Sequence, residues 1–543
     1  MKKEIQKLIF QAIESAYGID FDIVKIKVDY PPEGMGDIAT NVALLLSKEM
    51  GKNPMEAAKV IAEAMENDKW EKIEVAKPGF INFWLASREF QDTVAEINKK
   101  KNNFGNSEIG AGKKIHLDFV SANPTGPIHV GNARGGPLGD TLANVLEKTG
   151  YEPFREYYVN DAGNQVEILG HSVLSDELAQ YSGDYIEEIK SKVKSQKSKL
   201  FEEENFREIG IEGVKIILEE IIKPSMEKLG IHFDNYFSEK ELQSSGKVEE
   251  AIDILKEKGY IFEKEGAVWF KSTEFGDDKD RVVIKSDGQK TYFGSDIAYH
   301  KEKLERGFDK LIDIWGADHH GEVARTKGAL KALGCENKLD VILTQFVRVM
   351  KGGREMKMSK RAGTYVSIDD LIEEVGKDAT RFFFLMHSAD THMNFDLDLA
   401  KERNEKNPVY YVQYAHARIY SILEKAKEVE EKISGIDTSK ASEEYRGGGD
   451  ENLTQRAKER TLMLELLKFP DLTSEISQNY AVHYLPQYAI SLADKFHSFY
   501  NECRVIDENN LELTAQRLEL VRAVKIVLAE TLKIMGISAP EKM

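Results

Sequence analysis

The chain has 543 residues, 41% hydrophobic and 31% charged, with a formal net charge of −18. That length exceeds one ordinary core and predicts about three or four domains, and no apolar run reaches the ~18 residues of a membrane span. Cys335 and Cys503, the only cysteines, exclude a disulfide framework and a cysteine zinc site and fit a reducing cytoplasm. The acidic total permits nucleic-acid binding only if basic residues cluster. KSKVKSQKSK (190–199) is one such run, and taken alone it reads as a solvated helix face.

In chain order, MKKEIQKLIFQAIESAYG opens with Ile5, Leu8, Ile9, Ala12, Ile13 and Ala16 at helical spacing, which predicts an amphipathic helix rather than an export signal. A strand-like FDIVKIKVDY (21–30), a turn at 31–37, a helix over 38–50, a helix from Pro54 and a strand over 79–86 complete a small α/β unit. The polar stretch 98–114 reads as a boundary. Strands and helices then alternate, the pattern of a mostly parallel sheet. IHLDFV (115–120), FREYYV (154–159), DKLIDIWG (309–316) and VILTQFVRVM (341–350) are the strands, with a lysine- and glutamate-rich helical insertion near 176–222. From Pro408 onward the chain reads as helical, with one polar break over 439–455.

Two loops carry chemistry. PTGPIHVGNARG (124–135) follows the first of these strands and opens a helix. His129 and Gly131 there serve either as ordinary cap and turn, or as a phosphate donor and a bare backbone for a flat purine. Pro137 is uncomfortable in a helix starting near His129 and predicts a later start or a kink. KGGREMKMSKRAGTYV (351–366) carries Lys357, Lys360 and Arg361 between glycines, and Ser367 with Asp370 reads as a capping box behind it. A solvated loop would look similar, but a mobile clamp closing on a breaking phosphoanhydride needs this composition.

HVGN (129–132) and KMSKR (357–361) together resemble the two signatures of class I aminoacyl-tRNA synthetases. SANPTGPIHVGNARG (121–135), EYYVNDAGNQ (156–165), WGADHHG (315–321), ISAPEKM (537–543) and PPEGMGDIATNVA (31–43) are similar to bacterial arginyl-tRNA synthetases across essentially the whole chain. The resemblance implies a Rossmann-like α/β catalytic domain over 106–407, an N-terminal α/β accessory domain over 1–105 that touches the tRNA elbow, and an all-helical anticodon-binding domain over 408–543. It implies a cytoplasmic monomer, free of membrane, that joins L-arginine to tRNA(Arg) at the expense of ATP. Mg2+ would enter with the nucleotide, and no structural metal is expected. His129, Asn132, Lys357 and Lys360 would be catalytic, with Gly131, Met358 and Ser359 completing the ATP contacts. Asn132 stands where the family's first signature often has a second histidine; it can hydrogen-bond a phosphate but cannot carry charge.

A guanidinium is a planar fork of donors best met by carboxylates and amide oxygens. The resemblance places Asp118, Ser121, Asn123, Tyr292, Asp296 and His320 around arginine. Tyr292 and Asp296 share a face if TYFGSDIAYH (291–300) is helical. His319 and His320 beside Asp318 read as hydrogen-bonding histidines rather than a metal site. Tyr410, Tyr414 and Arg418 are expected at the tRNA, because aromatic rings beside cations stack on unpaired bases. Aromatic residues at helical spacing also build cores, so about half of Tyr410, Tyr411, Tyr414 and Tyr420 are expected to be buried. Two other readings stay open: another nucleotidyltransferase that joins ATP to a small acid, and a catalytically silent tRNA-binding relative.

Overall fold

Five parallel strands carry the centre of the molecule. The computed structural model describes residues 1–356, 365–436 and 450–543, so Lys357, Met358, Ser359, Lys360 and Arg361 lie outside the described residues. Strands are numbered in chain order. β1 (Val28–Asp29), β2 (Ile38–Thr40), β3 (Trp70–Ala76) and β4 (Phe80–Leu85) form an antiparallel N-terminal sheet of order β1-β2-β4-β3. Helix Lys2–Tyr17 packs on it through Ile5, Ile9, Ala12 and Ile13. Two readings change here. The 21–30 stretch shortens to a single turn at Ile23–Lys25 plus β1, and the 38–50 helix begins only at Val42. Residues 38–40 pair instead with β4, and the Thr40 hydroxyl donates to Lys27 O and accepts the Val42 N–H, ending the strand where the helix starts.

β5 (Lys114–Asp118), β6 (Glu152–Val159) and β7 (Asn235–Ser238) run outward on one side. A three-stranded antiparallel sheet intervenes, β8 (Ile261–Lys264), β9 (Ala267–Phe270) and β10 (Arg281–Ile284), which the sequence reading did not anticipate. β11 (Lys310–Gly316) and β12 (Leu339–Thr344) then return on the other side of β5, giving the order β12-β11-β5-β6-β7. The direction of strand addition therefore reverses between β5 and β11. In such sheets ligands bind in the crevice beyond the carboxyl ends of the strands at that reversal.

The predicted strand over 341–350 is two strands in two sheets. After β12 the chain turns at Gln345 and continues as β13 (Val347–Lys351), which pairs with β14 (Arg354–Glu355) and β15 (Met393–Asp396). Arg134 explains the break. It is fully buried, and its guanidinium donates to the carbonyls of Gln345 (2.9 Å), Thr391 (2.8 Å) and Ser388 (2.9 Å). Burial pulls its pKa down to about 10, and the charge is still retained at neutral pH. Arg134 also sits at the interruption between helices Val130–Ala133 and Gly135–Lys148. The kink expected from Pro137 is thus present one turn earlier, where the missing proline N–H leaves the Ala133 carbonyl without its helical donor. Gly139 on the second helix permits close contact with the residue that follows β5, since a β-carbon there would meet the Phe119 ring at 2.3 Å.

Between β6 and β7 the insertion is helical, at Asp184–Gln196, Ser198–Glu202 and Phe206–Ile217. Its basic run is partly spent on neighbours: Lys192 pairs with Glu220, and Lys197 with Glu212 at 2.9 Å. From Pro408 the described chain is helical. Of the expected polar break, 439–449 lies outside the described residues, while 450–455 begins helix Asp450–Leu467. The helical region shares one apolar core with the parallel-sheet unit, and Leu467 joins the N-terminal core. No described helix is long and apolar enough to cross a membrane.

Candidate active site

A cavity of about 590 Å³ opens at the β5/β11 reversal. The end of β5 aims the first signature into it. Val120 and Ser121 both have left-handed backbone angles (φ 68° and 38°), unfavourable for residues with side chains and costly for β-branched valine. This turn folds Ser121 back, so that its hydroxyl donates to Asp118 Oδ1 (2.5 Å) and accepts the Tyr158 N–H (3.0 Å). Asn123 follows, exposed at the rim.

His129 caps the signature helix. The Gly131 N–H donates to His129 Nδ1 at 2.9 Å, which leaves Nε2 to carry the ring proton. Burial holds the imidazole pKa below its ordinary value, so His129 is a neutral donor near pH 7. Gly131 is bare for a local reason too, because a β-carbon there would lie 3.0 Å from that same Nδ1. His129, Gly131 and Asn132 all line the cavity.

The flanks of the second signature meet the first. Residues 128–130 pair with 366–368 through Val130 N–H to Val366 O (3.2 Å) and Ile368 N–H to Ile128 O (2.9 Å). Tyr365 donates its hydroxyl to Pro127 O (2.8 Å), and its ring lies edge-on to His129 with centroids 5.2 Å apart. The capping box of Ser367 and Asp370 is present. The described residues on the two sides of the second signature are thus the end of β14 and Tyr365 beside His129.

The opposite wall is acidic. Tyr292 and Asp296 lie one turn apart on helix Tyr292–Glu305, as expected, and both line the cavity. Glu239, missed in the sequence, joins them from the carboxyl end of β7; it is 2% exposed. Burial raises the Asp296 carboxyl to about 6. Burial, reinforced by the Asp296 charge, raises Glu239 to about 7. Neither has a cationic side chain within ion-pairing distance among the described residues. A buried and a half-buried carboxylate with a phenol beside them form a receptor for a planar cation. His320 does not join them: it is exposed and off the cavity, whereas His319 lines it and contacts Glu322 at 2.8 Å. Tyr158, Asn160, Gln165 and Glu322 complete the acidic side and were also unnamed in the sequence. No group of three or more described histidines, cysteines or acids is placed to hold a metal.

In the helical region Tyr410 and Tyr414 stack with centroids 6.2 Å apart, and the Arg418 guanidinium lies 4.7 Å from the Tyr414 ring and 5.0 Å from that of Tyr500. None of Tyr410, Tyr411, Tyr414 and Tyr420 is fully buried, so the expectation that half would be is corrected. Helix Pro408–Ala426 packs inward through Val409, Val412, Ala415 and His416 instead.

Comparison with known proteins accounts for the whole chain. Residues 93–396 match the model of the class I (R) tRNA synthetase catalytic domain, 3–85 that of the arginyl tRNA synthetase N terminal domain, and 412–543 that of the DALR anticodon binding domain. The arginine–tRNA ligase of Carboxydothermus hydrogenoformans is 43% identical, with 98% of this chain and 97% of that protein covered. That of Bacillus pumilus is 42% identical, with 99% and 98% covered. The Thermus thermophilus arginyl-tRNA synthetase structure, 22% identical with both chains fully covered, shares the fold with a TM-score of 0.77. By its catalytic-domain match and its full-length relatives, the chain belongs to the arginyl-tRNA synthetases, the class I arginine–tRNA ligases.

Proposed function

We propose that the cavity carries out both half-reactions of arginine–tRNA ligation with the residues that line it. Glu239, Asp296 and Tyr292 hold the guanidinium, while Asp118, Ser121 and Asn123 hold the α-amino end. The arginine carboxylate attacks the α-phosphorus of ATP in line, forming arginyl-adenylate and releasing pyrophosphate. Donation from His129 Nε2–H and the Asn132 amide, at a helix start that favours negative charge, stabilises the phosphate oxygens. The lysines of 357–360 neutralise the leaving pyrophosphate, and Mg2+ arrives with the nucleotide. A terminal ribose hydroxyl of tRNA(Arg) then attacks the arginyl carbonyl and AMP leaves. Tyr410, Tyr414 and Arg418 offer stacking surfaces to anticodon bases. The reading includes a cytoplasmic monomer. It rests above all on one observation: the first signature and the acid pair of Glu239 and Asp296 line a single cavity.

Arginine-dependent exchange of pyrophosphate into ATP, with and without tRNA, tests it. Exchange is expected with arginine, and Lys360→Ala is expected to lower it by about 10²–10³. Exchange driven by a different amino acid, or tRNA binding without exchange, would overturn the assignment of these roles.

The acid pair also sets a pH dependence. A bound guanidinium favours both ionised carboxylates, so binding releases protons held by Glu239 (about 7) and Asp296 (about 6) in the empty cavity. The KM for arginine is expected to be flat above pH 8 and to rise about twentyfold from pH 8 to 6, steepening below 6. A pH-independent KM over that interval contradicts the pairing.

A further inference from the structure

Six carboxylates line the cavity: Asp118, Glu239, Asp296, Asp313, Asp318 and Glu322. Arginine brings two cationic groups and one carboxylate, and ATP brings four negative charges. A wall with six free anions would repel the nucleotide and prefer a guanidinium amine that lacks the carboxylate altogether. The structure removes part of that charge from within. Strand register sets Asp118 and Asp313 side by side on β5 and β11, both buried. Lys303, fully buried on helix Tyr292–Glu305, reaches between them, with Nζ 3.1 Å from Asp118 Oδ2 and 3.0 Å from Asp313 Oδ1. It also lies 4.0 Å from the Tyr299 ring centroid, and His300 Nε2 meets Asp313 Oδ2 at 2.8 Å. Burial opposes the ammonium charge, but the surrounding carboxylates outweigh it and raise the Lys303 pKa. Arg325 and His319 engage Glu322, and His319 approaches Asp318 at 3.5 Å. Only Glu239 and Asp296 are left without a cation among the described residues.

We propose that Lys303 is a specificity-determining residue that never touches substrate. It cancels charge at Asp118 and Asp313, so the acidic field of the cavity is concentrated at Glu239 and Asp296 and the substrate's carboxylate is tolerated at the other end. The inference rests on the guanidinium pocket proposed above. Its consequence is discrimination between arginine and its decarboxylated counterpart agmatine, which carries the same guanidinium and a free amine. With Lys303 gone, the α-end becomes more negative, which favours agmatine and disfavours arginine.

The test is the ratio of the agmatine inhibition constant to the arginine KM, measured for the intact enzyme and its variants. Lys303→Met is expected to lower the ratio about tenfold or more, and Asp313→Asn to raise it by a similar factor. The double variant Lys303→Met/Asp313→Asn restores the local charge and is expected to return the ratio close to that of the unaltered enzyme. A purely structural role would weaken both ligands together and leave the ratio unmoved. Should Lys303→Met fail to fold, Asp313→Asn alone decides. An unchanged ratio in the folded variants, with Asp296→Asn still weakening arginine binding, overturns the role of Lys303 and spares the pocket. Unchanged arginine and agmatine affinity in Asp296→Asn overturns the pocket and this inference with it.

Discussion

Asp296→Asn is expected to raise the KM for arginine by about 10²–10³-fold while leaving the KM for ATP within about threefold. The substitution keeps size and shape and removes one of two carboxylates that have no cationic side chain within ion-pairing distance among the described residues. Losing one partner of a hydrogen-bonded ion pair that the ligand itself covers costs about 2–5 kcal/mol, because the guanidinium is left facing a neutral amide. The enzyme itself should not lose stability, since that carboxylate has no hydrogen-bond or ion-pair partner among the described residues. Steady-state aminoacylation with each substrate varied in turn gives both constants. Parallel increases in the two KM values would instead point to a collapsed cavity.

His129→Ala is expected to lower adenylate formation by about 10²–10³-fold with little change in the KM for arginine. Two losses are mixed in that variant, the Nε2–H donor and the acceptor for the Gly131 N–H. The second is a helix cap worth about 1 kcal/mol. His129→Asp separates them, because a carboxylate oxygen can accept the Gly131 N–H while offering no N–H donor to phosphate. If phosphate donation is the role, His129→Asp recovers thermal stability and stays slow. Recovery of rate along with stability would reduce His129 to a cap.

What the sequence revealed depended on how far each signal extended. Asp118, the first signature and the Tyr292–Asp296 pair follow from strand–loop–helix order and helical spacing, together with the resemblance; the structure brings them around one cavity. Glu239 was invisible because it is one acid among 93 Asp and Glu residues. Only the four residues of β7 announce it, too few for a period to register. The β8–β10 sheet hid for the same reason, in strands of four residues each. His319 and His320 are adjacent, and which one faces the cavity is decided by a single turn at Ala317–His319 handing over to the helix at His320. Periodicity cannot resolve a one-residue rotation. The 341–350 run shows a different limit: local propensity is continuous there, and a buried arginine more than 200 residues away bends it. The tyrosines of 408–420 sit at helical spacing, yet Tyr410 and Tyr414 satisfy their apolar surface partly against each other rather than in the core.

The acid pair also shapes the ligand-free protein. Carboxyl groups that titrate near pH 4 in an unfolded chain hold their protons to about 6 and 7 in this fold, so the native state binds more protons across that interval. By linkage their share of conformational stability is greatest on the acid side, shrinks as pH rises through 7, and stays low above it. A saturating guanidinium reverses the trend, so the gap in melting temperature between filled and vacant protein should widen from mildly acid to mildly alkaline buffer. The receptor is thus least at ease when most ready to bind.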